Sequence, residues 1–201
     1  MQTSLFFIYD SHCPWSYVST ALVNQVHAAF PKMPLYLLHD AHFDGEDMMT
    51  TQQIDNVEKD SDLTFTAQYK ESLSEYRDST LIANLMAWAS NKQPQHALAL
   101  LNALQKAHFE QGNPLTSADD VMAICEQLKL SPPKKALAFD KLSKDAESVL
   151  FDIDEFREII GTNAIPALML AVNDNLILLN HNLYLKQPSA IVDAVKLEIK
   201  E

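Results

Sequence analysis

Near its start the chain carries an unbroken apolar run, Leu5-Phe6-Phe7-Ile8-Tyr9. A strand with one wet face alternates apolar and polar residues, so an unbroken run predicts a strand covered on both faces. The residues that follow agree with a layered α/β arrangement. Asp10-Ser11-His12-Cys13 reads as a polar turn, and Pro14 stands where a helix would open. Proline suits the first helical position because it has no amide hydrogen to leave unpaired. Val18, Leu22, Val26 and Ala29 carry an apolar stripe towards Pro31, and Leu35-Tyr36-Leu37-Leu38 predicts a second short buried strand. Two such strands joined by a crossover helix lie parallel, with a right-handed connection.

From about residue 45 to 160 the hydrophobic period is helical. Residues 44 to 62 are acidic and polar without a clear period, and read as a loop with a solvated face. Leu81-Ile82, Leu85-Met86 and Trp88-Ala89 are apolar nearly all round, the pattern of a helix buried among others. Pro94 opens another helix, with Ala97, Leu101, Leu104 and His108 on one face and Gly112 at its end. Ser117-Ala118-Asp119-Asp120 has the form of a capping box before Val121, Ile124, Cys125 and Leu128. Ser131-Pro132-Pro133 starts a short helix, and Val149, Ile153, Phe156 and Ile160 stripe a last one that Gly161 closes. Strand pattern then returns: Ala167 to Val172, a turn at Asn173-Asp174-Asn175, and Leu176 to Leu179 predict a β-hairpin. Pro188 opens a final amphipathic helix. The order is βαβ, about five helices, then ββα.

Composition narrows the function. The 201 residues make one domain, or one domain with a large insertion. A net charge of −12 repels phosphate backbones and anionic membrane surfaces, so neither nucleic acid nor a membrane is an expected partner. No run approaches the length of a bilayer span. Met1-Gln2-Thr3-Ser4 lacks a basic leader region, and a cytoplasmic location is expected. The two cysteines, Cys13 and Cys125, lie far apart, and in a reducing compartment they are not expected to pair. The three glycines are isolated, so no phosphate-binding loop exists, and no tightly bound cofactor is expected. His39-Asp40-Ala41-His42 offers two ligands without further matching spacing, and no metal site is expected.

Cys13 is the candidate for chemistry. It stands at the junction between a buried strand and a helix N-terminus, where free amides and the macrodipole favour an anion. A thiolate so placed is expected to titrate well below the free value of about 8.5, and the thiolate is the nucleophile. His12 can add charge when protonated, and Ser16, three residues on, can aim its hydroxyl at the sulfur. The alternative, a small buried apolar residue, fits Cys13 poorly beside Asp10, Ser11, His12 and Pro14, but it fits Cys125 among Val121, Ile124 and Leu128. Alkylation is therefore expected at Cys13 well below pH 8. Ile165-Pro166 marks a strand entry at an edge, a bulge or a cis bond. The residues alone favour an ordinary trans proline there.

Tyr9-Asp10-Ser11-His12-Cys13-Pro14-Trp15-Ser16-Tyr17 resembles the active-site turn of the DsbA-like thioredoxin-fold proteins, especially the FrnE-type branch, in which an aspartate precedes a Cys-Pro-Trp-Cys-Tyr run. Ala107-His108-Phe109-Glu110-Gln111-Gly112 is similar to that branch's insertion, and the element order is also theirs. The resemblance implies a thioredoxin-like domain from 1–44 and 161–201, interrupted by an all-helical insertion, 45–160. It implies that Thr162-Asn163-Ala164-Ile165-Pro166 is the cis-proline loop, with Pro166 facing Cys13 and the Ile165 backbone pairing with a thiol ligand. It further places His12, Pro14, Trp15, Ile165 and Pro166 against substrate.

Ser16 departs from the pattern, because the family's resolving cysteine belongs there. A dithiol enzyme releases substrate when its second thiolate attacks the mixed disulfide. Ser16 cannot do this, so an external thiol such as glutathione must. The expected function is monothiol thiol-disulfide exchange on a protein or small-molecule disulfide, with Cys13 as nucleophile and Ser16 as hydrogen-bond donor. Kappa-class glutathione transferases and 2-hydroxychromene-2-carboxylate isomerases share the architecture, carry serine at the Cys13 position, and hold glutathione through residues just after the hairpin. Here that segment is Asn180-His181-Asn182, with Asn182 at the position of their aspartate. A glutathione-dependent transferase or isomerase, and a non-catalytic thiol- or peptide-binding protein, are the alternatives.

Overall fold

The computed structural model describes residues 2–200. Strand β1 (Thr3–Tyr9) leads into helix α1 (Pro14–Ala29) and strand β2 (Leu35–His39). The middle of the chain forms β3 (Asp44–Asp47), α2 (Thr51–Ser61), α3 (Ala67–Glu71), β4 (Arg77–Asp78), α4 (Thr80–Lys92), α5 (Pro94–Gln111), α6 (Ala118–Gln127) and α7 (Lys144–Ile160). The hairpin β5 (Ala167–Val172) and β6 (Asn175–Leu179) and helix α8 (Ile191–Lys200) complete it. Short 3-10 turns lie at Lys134–Leu137, His181–Tyr184 and Pro188–Ala190.

The main sheet has the order β2-β1-β5-β6. β1 pairs parallel with β2 from Leu5↔Leu35 to Tyr9↔His39, and antiparallel with β5 from Thr3↔Val172 to Ile8↔Ala167. The unbroken apolar run thus occupies a central strand whose two faces are both covered. Leu5, Phe7 and Tyr9 pack with Val18, Leu22 and Val26 of α1, with α4 and α5, and with Ile191 and Val195 of α8. Ile8 on the other face joins Leu38, Ala167 and Met169 against Ile153 of α7. Phe6 tilts onto Phe156 at 4.9 Å on the same side.

Three features differ from the sequence expectation. The insertion is not all-helical, since β3 and β4 pair in a small antiparallel sheet. Residues 44 to 62 are not a loop throughout. Thr50 and Gln53 form a reciprocal capping box that opens α2, and Ile54 and Val57 anchor it in the core. Two apolar residues at i, i+3 in an acidic stretch were too few to show a period. Lastly, α7 falls within the 45–160 span but covers the second face of the main sheet. Asn84 of α4 ties the segment before α7 in place: its amide donates to the Ala138 and Lys141 carbonyls, and its oxygen accepts from the Ser143 N–H at 2.6 Å. No described helix is long and apolar enough to cross a membrane.

Candidate active site

Cys13 is the N-cap residue of α1, in extended backbone, with Pro14 at the first helical position. The strand-to-helix turn is closed by the Cys13 N–H donating to the Asp10 carbonyl at 3.2 Å, and α1 begins as the Tyr17 N–H donates to the Cys13 carbonyl at 3.0 Å. Cys13 lies 7% exposed in the wall of a cleft of about 220 Å³. Pro14 and Trp15 from the head of α1, Ile165 from the loop before β5, and His42, Phe43 and Asp47 line the same cleft. Met48, Met49 and Gln53 close the remaining side. The Ile165–Pro166 peptide is cis, and Pro166 is buried at the entry to β5.

Beneath the turn the carboxylate of Asp10 is fully buried. Its Oδ1 accepts from the His12 N–H and its Oδ2 from the His42 N–H, both at 2.8 Å, so one side chain pins both edges of the turn. Burial alone would raise this carboxyl. The charge that His39 carries in the acid range, the His12 imidazole and the Ser79 hydroxyl outweigh that and hold it well below the usual carboxylate range. His39 is neutral: burial drives it down to about 4. The Ser11 amide lies 3.2 Å from its Nε2 and the Ala41 amide 3.1 Å from its Nδ1, and the neutral ring accepts at one of these nitrogens while the other carries its proton.

The structure corrects the expected acidity of Cys13. Burial pushes its thiol up to about 11, and the Asp10 charge adds to the rise. The Ser16 hydroxyl and the amides of Ser16 and Trp15 pull the other way and do not overcome it. Desolvation therefore outweighs the helix terminus, and alkylation well below pH 8 is not what this site supports. Ser16 is fully buried one turn into α1, and its hydroxyl oxygen accepts from the Asp10 N–H at 3.2 Å. That bond fixes the hydroxyl oxygen and leaves its hydrogen for the sulfur.

His12 is also corrected. It does not face substrate. Its ring is fully buried, with Nε2 donating to the Pro114 carbonyl at 3.0 Å and Nδ1 3.2 Å from the Ser79 hydroxyl. It packs edge-on against His108 at 4.8 Å and so docks the turn on the insertion. Asn182 is exposed on the 3-10 turn after β6 and does not line the Cys13 cleft. Cys13, Pro14, Trp15 and Ile165 are thus brought together, Ser16 supports the sulfur, Pro166 is buried and does not line the cleft, and His12 and Asn182 lie elsewhere.

The sequence reading missed the far wall of the cleft, from His42 to Gln53, and the buried carboxylate of Asp10. The Thr50-x-x-Gln53 spacing was the available signal for one end of the wall, since it opens the helix that carries Gln53, the rest lying on β3 and the segments beside it. An acidic residue directly after an apolar run, within the turn that resembles the DsbA-like active site, was the trace of Asp10's role. Among the described residues no cluster of His, Cys, Asp or Glu has the form of a metal site.

No protein-family model and no curated protein matches the chain. Solved structures do. The cytosolic disulfide reductase DsbM from Pseudomonas aeruginosa superposes with a TM-score of 0.83 at 18% identity, covering 98% of each chain. The same protein with GSH superposes at 0.80 and 17% identity, over 98% of this chain and 100% of that one. A putative protein disulfide isomerase from Nitrosomonas europaea gives 0.73 at 13% identity, covering 98% of each. At such identities the likeness shows the fold: a thioredoxin-like domain with a large insertion, as in DsbA-like proteins.

Proposed function

We propose that the protein is a monothiol disulfide reductase, with Cys13 as the only nucleophile and a small thiol such as glutathione as the co-substrate that completes the cycle. The observation that supports this reading is the arrangement at the head of α1: a thiol in a cleft wall opposite Ile165, with a hydroxyl at the resolving position. Cys13 as thiolate attacks a disulfide R–S–S–R′, forms Cys13–S–S–R and expels R′–S⁻, which takes up a proton. One glutathione then attacks the mixed disulfide, releases R–SH and leaves Cys13–S–S–G. A second regenerates the Cys13 thiol and leaves as oxidised glutathione. Two glutathione molecules supply the two electrons.

The site's electrostatics support the reductive direction. A dithiol protein is a strong oxidant when its thiolate is stabilised. Cys13 has the opposite surroundings, with burial and a nearby carboxylate. With a hydroxyl from Ser16 instead of a second thiol beside it, a mixed disulfide on Cys13 has no internal attacker and persists until an external thiol arrives. Two unpaired cysteines suit a reducing, cytoplasmic setting, and the likeness to DsbM, a disulfide reductase named as cytosolic and solved with GSH, supports the same choice. Pro14, Trp15 and Ile165 contact the substrate, with the Ile165 backbone as its docking edge.

The test is reduction of bis(2-hydroxyethyl) disulfide with glutathione as electron donor. Turnover that requires glutathione and disappears in Cys13→Ala is the expected result. Unchanged turnover in Cys13→Ala overturns the assignment.

A further inference from the structure

The sheet order leaves β2 at an edge. In a parallel ladder only alternate residues of the edge strand bond to their neighbour. The Leu5 N–H donates to the Pro34 carbonyl at 2.9 Å, and the Asp40 N–H donates to the Tyr9 carbonyl at 2.8 Å. Even-numbered residues therefore face β1. Leu35 and Leu37 turn their N–H and C=O groups outward, and take no further backbone partner among the described residues. Natural sheets blunt such edges with proline, charge, a bulge or a covering element. β2, Leu-Tyr-Leu-Leu-His, has no proline, no acidic residue and no lysine or arginine, and its register with β1 is unbroken. α4 and α7 pack on it and bury Leu37, Leu38 and His39, so the open part of the edge lies at Leu35 and Tyr36.

This edge runs along a cavity of about 550 Å³. Ser90 and Asn91 at the end of α4, Pro94 and Leu98 at the start of α5, and Val149 and Asp152 of α7 form its other walls. The Ser90 hydroxyl is buried there without a partner. The helices stand to either side of the strand, so the groove holds a row of backbone groups at strand spacing between apolar walls. A compact ligand would leave most of those groups unmatched, whereas an extended chain matches them in turn. Asp152 in the groove and Glu155 beside it on α7, on a chain of net charge −12, favour a cationic partner.

We propose that the free edge of β2 is a docking strand for an extended, lysine-bearing segment of a partner protein, which adds to the sheet beyond β2. Val or Thr side chains of that segment would meet Pro94, Leu98 and Val149, and its lysines Asp152 and Glu155. The site is separate from Cys13 and does not rest on the redox reading.

The test is fluorescence anisotropy with a labelled probe, Thr-Val-Lys-Val-Lys-Val-Thr, and two N-methylated versions, each blocking alternate amides. Saturable binding is expected equally for the wild type and for Cys13→Ala. One N-methyl register should weaken binding about tenfold, the worth of roughly one or two backbone hydrogen bonds, while the other leaves it nearly unchanged. Leu35→Pro removes an outward N–H without touching a β1 bond, and should weaken binding similarly while circular dichroism stays native. Should that variant misfold, the two peptide registers still decide the matter. Absent saturation, equal loss in both registers, or a dimer that Leu35→Pro dissolves would overturn the proposal, the last by showing a second copy on the edge.

Discussion

Cys13 and Cys125 are both buried, and burial pushes both thiols up to about 11, yet their surroundings share little else. Cys13 has the Ser16 hydroxyl, two helix-terminal amides and an open cleft beside it. Cys125 sits in α6 among Val121 and Ile124 and is fully covered. Acidity does not distinguish the two thiols. Access and directed hydrogen bonds do, because a cleft admits a disulfide and a fixed hydroxyl stabilises charge that appears only during exchange.

The comparison breaks if the two sulfurs react alike. Iodoacetamide labelling in the folded state should modify Cys13 at a rate that climbs with pH towards about 11, while Cys125 waits for unfolding. That difference should exceed a factor of about 10³, since covered groups react through rare opening. Peptide mapping after timed labelling measures it.

Ser16→Cys sharpens the comparison by giving Cys13 what Cys125 can never supply, a thiol one helical turn away. Intramolecular attack carries a large effective molarity, so disulfide reduction with dithiothreitol should rise by about 100-fold or more without glutathione. Ser16→Ala runs the other way. It should raise the Cys13 titration further and slow labelling at pH 8 by up to about tenfold, as one charge-assisted hydrogen bond is lost.

Asp10 separates the two sites through stability. Its carboxyl is held low in the folded protein, so it contributes stability above about pH 4 that is lost as pH falls below it. Asp10→Asn should flatten that acid limb, bring the Cys13 titration down, and cost about 1–3 kcal/mol at pH 7, because an amide keeps one acceptor oxygen where the His12 and His42 N–H groups need two. Both thiols act on the alkaline side. Their folded values exceed the unfolded one, so stability is full below about pH 8.5 and falls as pH rises towards 11. Denaturant midpoints across pH measure both limbs. The smallest effect is expected at Cys125→Ala, about 1 kcal/mol of lost packing with exchange activity intact.

The same contrast explains what was legible beforehand. The central strand, α1, the hairpin and the buried Cys125 follow from apolar periodicity, which registers what is buried along one element. The cleft wall from His42 to Gln53 does not, because it depends on how a polar, acidic segment folds back over the turn. The acidity of Cys13 was misjudged for a related reason. Its helix-terminal position is visible in the sequence, whereas its desolvation comes from residues 30 to 150 positions away. His12 looked like a charge beside the thiol, but its ring turns inward to Pro114 and Ser79, partners that only the folded insertion provides.

The most direct test is intact mass and peptide mapping after mild incubation with oxidised glutathione at pH 8. A single glutathionyl group on the peptide containing Cys13, stable to dilution and removed by added glutathione, is the predicted result. No adduct, or an adduct on Cys125 in the folded protein, would contradict the account.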